Sequence, residues 1–299
     1  MQLTIFRPSQ YASNTEFIIP LPCIHISLME QNMKLNPNKI FFVIMIFLAG
    51  LGLVACGKSG NAITVAGSTA FQPFAEKLAD QFMAGTPGAS VTIQGGGSAV
   101  GIQATLSGAA DIGMADMVTL PKEALTLKTV IVARDGIVMV VNPKNTVKTL
   151  TVDQIRDIYN GKIRNWKDAG GKDHAVTVIS REEGSGTRSS FETIIKNVTL
   201  TKEAIIQDSN GTVRETVAND INSIGYISHG LVNDKISALL INGVACVNEE
   251  INKGRYPLVR PVFLMTREAP QGLSKSFIDY ILSEQGQKTI LANGLLPAK

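Results

Sequence analysis

An α/β fold with mostly parallel sheets is what the sequence predicts, and three observations carry that reading. Short apolar runs alternate with stretches of helical periodicity from Ile63 onward. The links between them are short and rich in Gly, Ser, Asn and Pro. Composition is globular: of 299 residues, 44% are hydrophobic, 18% charged and 6% aromatic. Strand and helix periods that alternate over short links are the mark of layered βα units. The composition excludes a disordered, collagenous or disulfide-stapled chain.

The elements follow in order. Ile63–Gly67 reads as a buried strand, and Phe71, Phe74, Ala75, Leu78 and Phe82 then fall on one helical face. Val91–Ile93 is a second strand, leading through Gly95-Gly96-Gly97-Ser98 into a helix from Ala99 to Ser107. Asp111–Ala115 is a third strand. Thr129–Val141 is β-rich, with a break expected at Asp135-Gly136 and an end at Asn142-Pro143. Thr151-Val152-Asp153-Gln154 has the form of a capping box, and its helix is expected to stop at Gly161. Val176–Ser180 is a strand running into Arg181-Glu182-Glu183-Gly184-Ser185-Gly186-Thr187 and a helix with Phe191, Ile194, Ile195 and Val198 on one face. Ile224–Ser228 and Leu258–Met265 are strands, and a C-terminal helix is expected from Phe277.

Ahead of these elements lies a different kind of segment. Mean hydropathy is +0.15, and much of that excess sits in Ile40–Ala55, sixteen residues without a charge. Lys34 and Lys39 precede the run and small residues close it. A spanning helix needs about 20 apolar residues, so this layout reads as a secretory signal over residues 33–55. Met33-Lys34 begins a complete signal by itself, which makes residues 1–32 an expected upstream extension from a misassigned start. Leu53-Val54-Ala55-Cys56 resembles a bacterial lipoprotein box. That resemblance implies cleavage before Cys56, acylation of Cys56, and a lipidated tether over residues 56–60. Cleavage there removes Arg7, Lys34 and Lys39 along with Glu16 and Glu30, so the net charge of +3 hardly changes. Cys23 is lost with the signal and Cys56 is acylated, which leaves Cys246 without a partner for a disulfide.

Several function classes drop out. A net charge of +3 with no basic cluster gives no footprint for nucleic acid. Neither a P-loop nor a dinucleotide fingerprint is present. No Gly-x-Ser-x-Gly occurs around Ser185, and His174 and His229 lack the spacing for zinc or a triad. No cofactor or metal is therefore expected. A hydrolase built on Ser185 lacks a base, and no enzyme activity is expected.

What remains is a recurrence. Gly67-Ser68-Thr69, Gly97-Ser98-Ala99 and Gly184-Ser185-Gly186-Thr187 each follow a strand and lead into a helix. Helix N-termini offer unpaired N–H groups and partial positive charge, and Ser or Thr adds a hydroxyl. Any one such loop can be a cap for its own helix. Three at strand ends, where open α/β sheets bind ligands, point to an anion. Arg181 ends a strand four residues before Ser185 and can offer its guanidinium fork. Asp116 is the counterintuitive member, since a carboxylate repels an anion unless it accepts a proton from it. Monohydrogen phosphate carries that proton and sulfate does not, so Asp116 reads as a selectivity device. A structural bridge from Asp116 to Arg181 is the alternative, and both can hold.

On these residues the chain resembles the phosphate-binding lipoproteins of bacterial phosphate ABC transporters, within the periplasmic-type binding proteins. The matching stretches are Ala66–Pro73, Gly95–Ser98, Ile112–Asp116 and Ser180–Thr187. The resemblance implies a two-lobed, type II periplasmic-binding-protein-like fold with the ligand cleft between the lobes. Lobe I would span residues 61–140 and 260–299, and lobe II residues 141–259. It implies a phosphate shell of Thr69, Ala70, Ser98, Asp116, Arg181, Ser185, Gly186 and Thr187, with Ser68 joining through its hydroxyl. Glu183 stands where a supporting acid for Arg181 is expected. The implied partners are inorganic phosphate, the permease and ATPase subunits of a transporter, and the membrane through the lipid anchor, with the chain a monomer on the outer face. A receptor for sulfate or molybdate, or a phosphate sensor without transport, is the alternative function.

Overall fold

The computed structural model describes residues 61–298. The upstream extension, the signal, Cys56 and the tether expected over residues 1–60 lie outside the described residues. Strands β1 (Ala62–Gly67), β2 (Ser90–Gln94) and β3 (Ile112–Ala115) alternate with helices α1 (Gln72–Gly85) and α2 (Ser98–Ser107). The long β4 (Lys128–Val141) follows, then β5 (Thr149–Leu150), α3 (Val152–Tyr159), β6 (Thr177–Arg181), α4 (Gly186–Ile195), β7 (Ile205–Gln207), α5 (Asn210–Asn219) and β8 (Ser223–Ser228). The chain closes with β9 (Ser237–Ala238), β10 (Leu240–Ile241), α6 (Asn248–Asn252), β11 (Val259–Thr266), α7 (Gly272–Leu282), α8 (Glu284–Ala292) and β12 (Leu296–Pro297).

The main sheet has the order β2-β1-β3-β11-β4-β8-β6-β7. At one end β2, β1 and β3 are parallel, and at the other β8, β6 and β7 are parallel. The middle is antiparallel, because β11 and β4 pair with each other and with β3 and β8 in opposite directions. Among the described residues, these two long strands are therefore the parts of the sheet path that join its two parallel ends.

Two apolar cores lie on either side of that join. One holds Val65, Phe71, Leu78, Phe82, Ile112, Phe277 and Ile290, and ends at Val132 and Ala133 on β4 and at Val262 and Leu264 on β11. The other holds Ile155, Tyr159, Trp166, Phe191, Val213 and Tyr226, and begins at Ile137 on β4 and at Leu258, the residue before β11, with Val259 packed against it. The change of core therefore falls between Ala133 and Ile137 on one strand, and between Val259 and Val262 on its neighbour. Each apolar residue predicted for the α1 face is buried, in keeping with an i, i+3, i+4 stripe turned to a core.

Three local expectations differ from what forms. No break occurs at Asp135-Gly136; β4 runs through it. Asp135 is opposite Arg260 in the ladder, and a Cβ on Gly136 would stand 2.2 Å from Cys246 Sγ. The pair is a site of close packing and ion pairing rather than a turn. The C-terminal helix is two helices, α7 and α8, broken at Ser283, whose hydroxyl accepts from Gly286 N and caps the second. Helix α1 starts at Gln72 and not beside Ser68. A turn intervenes, in which Ser68 Oγ accepts from Ala70 N and Phe71 N, at 3.2 and 3.1 Å. The capping box at Thr151 and Gln154 forms as read.

Candidate anion site at the strand ends

Four strand ends converge where the two cores meet. β1 delivers Ser68 and Thr69, the β2 to α2 loop delivers Ser98, β3 delivers Asp116, and β6 delivers Arg181 with the start of α4. Ser68, Ser98, Asp116, Arg181, Ser185, Gly186 and Thr187 are all buried. Ser98 Oγ donates to Asp116 Oδ1 at 2.7 Å and accepts from Asp116 N at 3.2 Å. Across from them, Thr187 Oγ1 donates to Asp116 Oδ2 at 3.4 Å. Ala99 N donates to Gly184 O at 3.1 Å, so the start of α2 touches the loop that opens α4. Gly97, at φ 94, occupies the left-handed region that glycine enters without strain. It brings its backbone close to Gly184 O, which a Cβ there would meet at 3.2 Å.

Arg181 is held from one side only. Its Nε and Nη2 donate to both carboxylate oxygens of Glu182, at 2.9 and 2.8 Å. Further bonds run from Nε to Gln207 O and from Nη2 to Asp208 O, at 3.2 and 3.1 Å. Its Nη1 is buried with no hydrogen-bond partner. Leaving a buried donor unsatisfied costs about 1–3 kcal/mol or more for a charged group, so the guanidinium is aimed at something that accepts. Under Arg181 lies an aromatic floor. Phe191 and Tyr226 stack with centroids 4.4 Å apart, and Tyr159 packs on Phe191 at 4.7 Å. The Tyr226 hydroxyl shares a hydrogen bond with Ser180 Oγ and accepts from Arg181 N. Burial pushes the Tyr226 phenol up to about 12, so it stays protonated at physiological pH.

Thr69 Oγ1 accepts from Arg181 Nη2 and from Asn210 Nδ2, each at 3.3 Å. With both lone pairs engaged, its own O–H is left to donate. The first-turn amides of Gly186 and Thr187 have no helical carbonyl to reach. Ser185 Oγ caps α4 by accepting from Arg188 N at 3.2 Å. Ser68 Oγ accepts from the amides of Ala70 and Phe71 and so shapes the turn beside Thr69, and its own O–H is likewise left to donate.

Two expectations about charge are corrected. Asp116 does not pair with Arg181; its partner is Arg260, whose Nη1 forms an ion pair with Asp116 Oδ2 and donates to Asp116 O at 3.1 Å. Length and direction decide this, because Arg260 enters from β11, the immediate neighbour of β3. Glu183 does not hold Arg181; Glu182 does. Sequence reasoning also missed Asn210 and Asp135. Asn210 is fully buried and ties Thr69 to Ser228 N through its amide, at 3.3 and 3.0 Å. Among the described residues no group of His, Cys, Asp and Glu is placed to hold a metal ion.

The set of groups is specific: hydroxyl and amide donors, one guanidinium with a spare edge, and one carboxylate acceptor. A family model described as a PBP superfamily domain matches residues 55–285. The curated "Phosphate-binding protein PstS" of Bacillus subtilis is 33% identical over 287 residues, covering 88% of this chain and 95% of that protein. The chain belongs to the PstS phosphate-binding-protein family. Its fold is that of the family's solved structures. A substrate-binding protein assigned to a phosphate ABC transporter of Clostridium perfringens, solved with bound phosphate, is 39% identical with a TM-score of 0.77. It covers 80% of this chain and 100% of its own. An ABC-type phosphate transport receptor from Vibrio cholerae is 34% identical with a TM-score of 0.66, covering 78% and 99%. In this PstS-family chain the sheet is mixed, parallel at its two ends and antiparallel in the middle.

Proposed function

We propose that the chain binds inorganic phosphate outside the cytoplasmic membrane and delivers it to the permease of an ABC transporter. The observation that carries this reading is the pairing of a buried, unpartnered guanidinium edge on Arg181 with the buried acceptor Asp116. A dianion satisfies the first, and only an anion that still bears a proton satisfies the second. Thr69, Ser98, Arg181, Ser185, Gly186 and Thr187 supply donors, and Asp116 accepts the phosphate O–H. Ser68, through its own O–H, and Ala70, through its backbone N–H, complete the shell beside Thr69. The names of the relatives agree with this substrate. Binding without a nucleophile and base in reach is capture, so no catalytic step is assigned.

The two apolar cores support a division into two lobes, with crossings in β4 and β11 and the anion between them. The lipoprotein-like Leu53–Cys56 motif supports export and anchoring through acylated Cys56. Replacing Cys56 with Ser should move the chain from the membrane fraction to the medium, and retention in membranes would remove the anchor. The test of binding is calorimetry of the full chain with phosphate and with sulfate. Phosphate should bind and sulfate should fail to compete. Asp116→Asn should weaken phosphate and relax the exclusion of sulfate, since an amide can donate to an unprotonated oxygen. Equal affinity for both anions in the native chain would defeat the reading.

A further inference from the structure

Arg260 is fully buried in a strand that reads VRPVFLMT, and no motif of the anion loops includes it. Its guanidinium is divided between two carboxylates. Nη1 faces Asp116, through both the carboxylate and the backbone oxygen. Nε and Nη2 donate to Asp135 Oδ2, at 3.1 and 2.7 Å. Asp135 Oδ1 accepts from Ser228 Oγ at 2.8 Å, and Ser228 N donates to Asn210, which reaches Thr69. A continuous buried chain of polar groups thus leaves the site at Asp116 and returns to it at Thr69. On the way it passes through β11, β4, β8 and α5.

The place of the central pair is the second observation. Asp135 and Arg260 are opposite each other in the β4–β11 ladder. Asp135 lies between Ala133 of one core and Ile137 of the other, and Arg260 between Leu258 and Val262. Among the described residues, the ion pair therefore sits on the two long strands that pass from one core to the other, at the point of passage on both.

Its charge matters at the site. Asp116 and Asp135 are each nearly inaccessible, and two buried carboxylates cannot both stay ionised without a cation between them. Arg181 does not serve, because its ion pair is with Glu182 and both of these carboxylates pair with Arg260 instead. We propose that Arg260 is the positioning residue that holds the Asp116 carboxylate in place as an acceptor facing the anion, and that it couples this acceptor to the crossing strands through Asp135. The proposal rests on the phosphate reading above. If Arg260 is removed, two buried carboxylates are left near each other with no cation between them. Asp116 is then no longer held in place to accept the phosphate O–H, and the discrimination against an unprotonated oxyanion such as sulfate weakens.

The experiment is a mutant cycle read by calorimetry on the full chain, with phosphate and sulfate as separate titrants. Arg260→Met should lower phosphate affinity at least tenfold and reduce the phosphate-to-sulfate affinity ratio. Arg260→Lys, a point charge without a fork, should recover part of both. Because Arg260 acts through Asp116, the Asp116→Asn, Arg260→Met double variant should bind phosphate no more weakly than Asp116→Asn alone. A merely structural arginine would lower the melting temperature and leave the anion ratio at its native value, and that result overturns the proposal. So does full addition of the two losses in the double variant. If circular dichroism finds Arg260→Met unfolded, the same cycle with Arg260→Lys decides, and native affinity and ratio in that variant overturn the proposal. A native chain that binds no phosphate would instead sink the phosphate reading itself; native binding with unaltered Arg260 variants would sink only the role of Arg260.

Discussion

Gly186 shows how closely the anion loops approach one another. A Cβ there would stand 2.2 Å from Ser98 Oγ, 2.6 Å from Asp116 Oδ1 and 2.8 Å from Asp116 O. None of these atoms ends a flexible side chain, and the Ser98–Asp116 bond ties two of them together. The glycine is required for space, not for backbone conformation. Gly186→Ala should therefore fold normally yet hold the start of α4 away from Ser98 and Asp116. Phosphate affinity should fall more than tenfold. The check is calorimetry beside thermal melting. A saturating ligand at a hundred times its dissociation constant stabilises by about 2.7 kcal/mol, and the variant should lose most of that shift. Gly211→Ala is the control, since a Cβ there meets only Ser209 Oγ at 3.6 Å. Equal loss in both variants would mean that the effect is not steric.

At the scale of elements, sequence patterns were informative wherever the physics is local. The α1 stripe, the Thr151 capping box and the Gly-Ser loops each announce themselves within a few residues, because periodicity, caps and turns are set by near neighbours. The residues that escaped are those whose meaning depends on distant strands. Asp135-Gly136 has the composition of a turn, yet it lies within a strand because Arg260 and Cys246 face it from other elements. Arg260 is a lone charge in an otherwise apolar strand. A charged residue at a buried register position is itself a signal, since such residues are rarely buried unless paired, and Asp135 in the other long strand was the acid to match. Asn210 gave no signal, because an Asn at a helix start ordinarily reads as capping. Glu182 and Glu183 are adjacent, and only the direction in which β6 ends decides which one meets Arg181. The site was thus legible as donor loops and illegible as a charge network.

Across the whole molecule, the Asp135–Arg260 pair gives the chain an acid response of unusual sign. Burial raises the Asp135 carboxyl above its ordinary value of 3.8, and the charge of Asp116 adds to that push. Arg260 and Ser228 pull the other way without reversing it. Between 3.8 and the raised folded value, the native chain holds a proton that the unfolded chain has released. Stability from this group is therefore fully present below 3.8 and is lost as pH rises through the folded value. Two acids outside the apolar cores behave oppositely. Asp173, held down by Asn165 and Lys167, and Glu250, held down by Arg255, contribute above the ordinary range and lose that contribution as pH falls through their lowered values. Acidification thus weakens the periphery while easing the buried join between the two cores. Asp135→Asn removes the component that grows in acid and leaves the others. In urea melts at pH 7 and pH 4.5, the variant should fall further behind the native chain at the lower pH. Circular dichroism and intrinsic fluorescence together would show whether both cores melt in one transition. A stability gap that stays constant or narrows in acid would mean that Arg260 outweighs burial and holds Asp135 low. The join would then be a conventional ion pair, strongest at neutral pH.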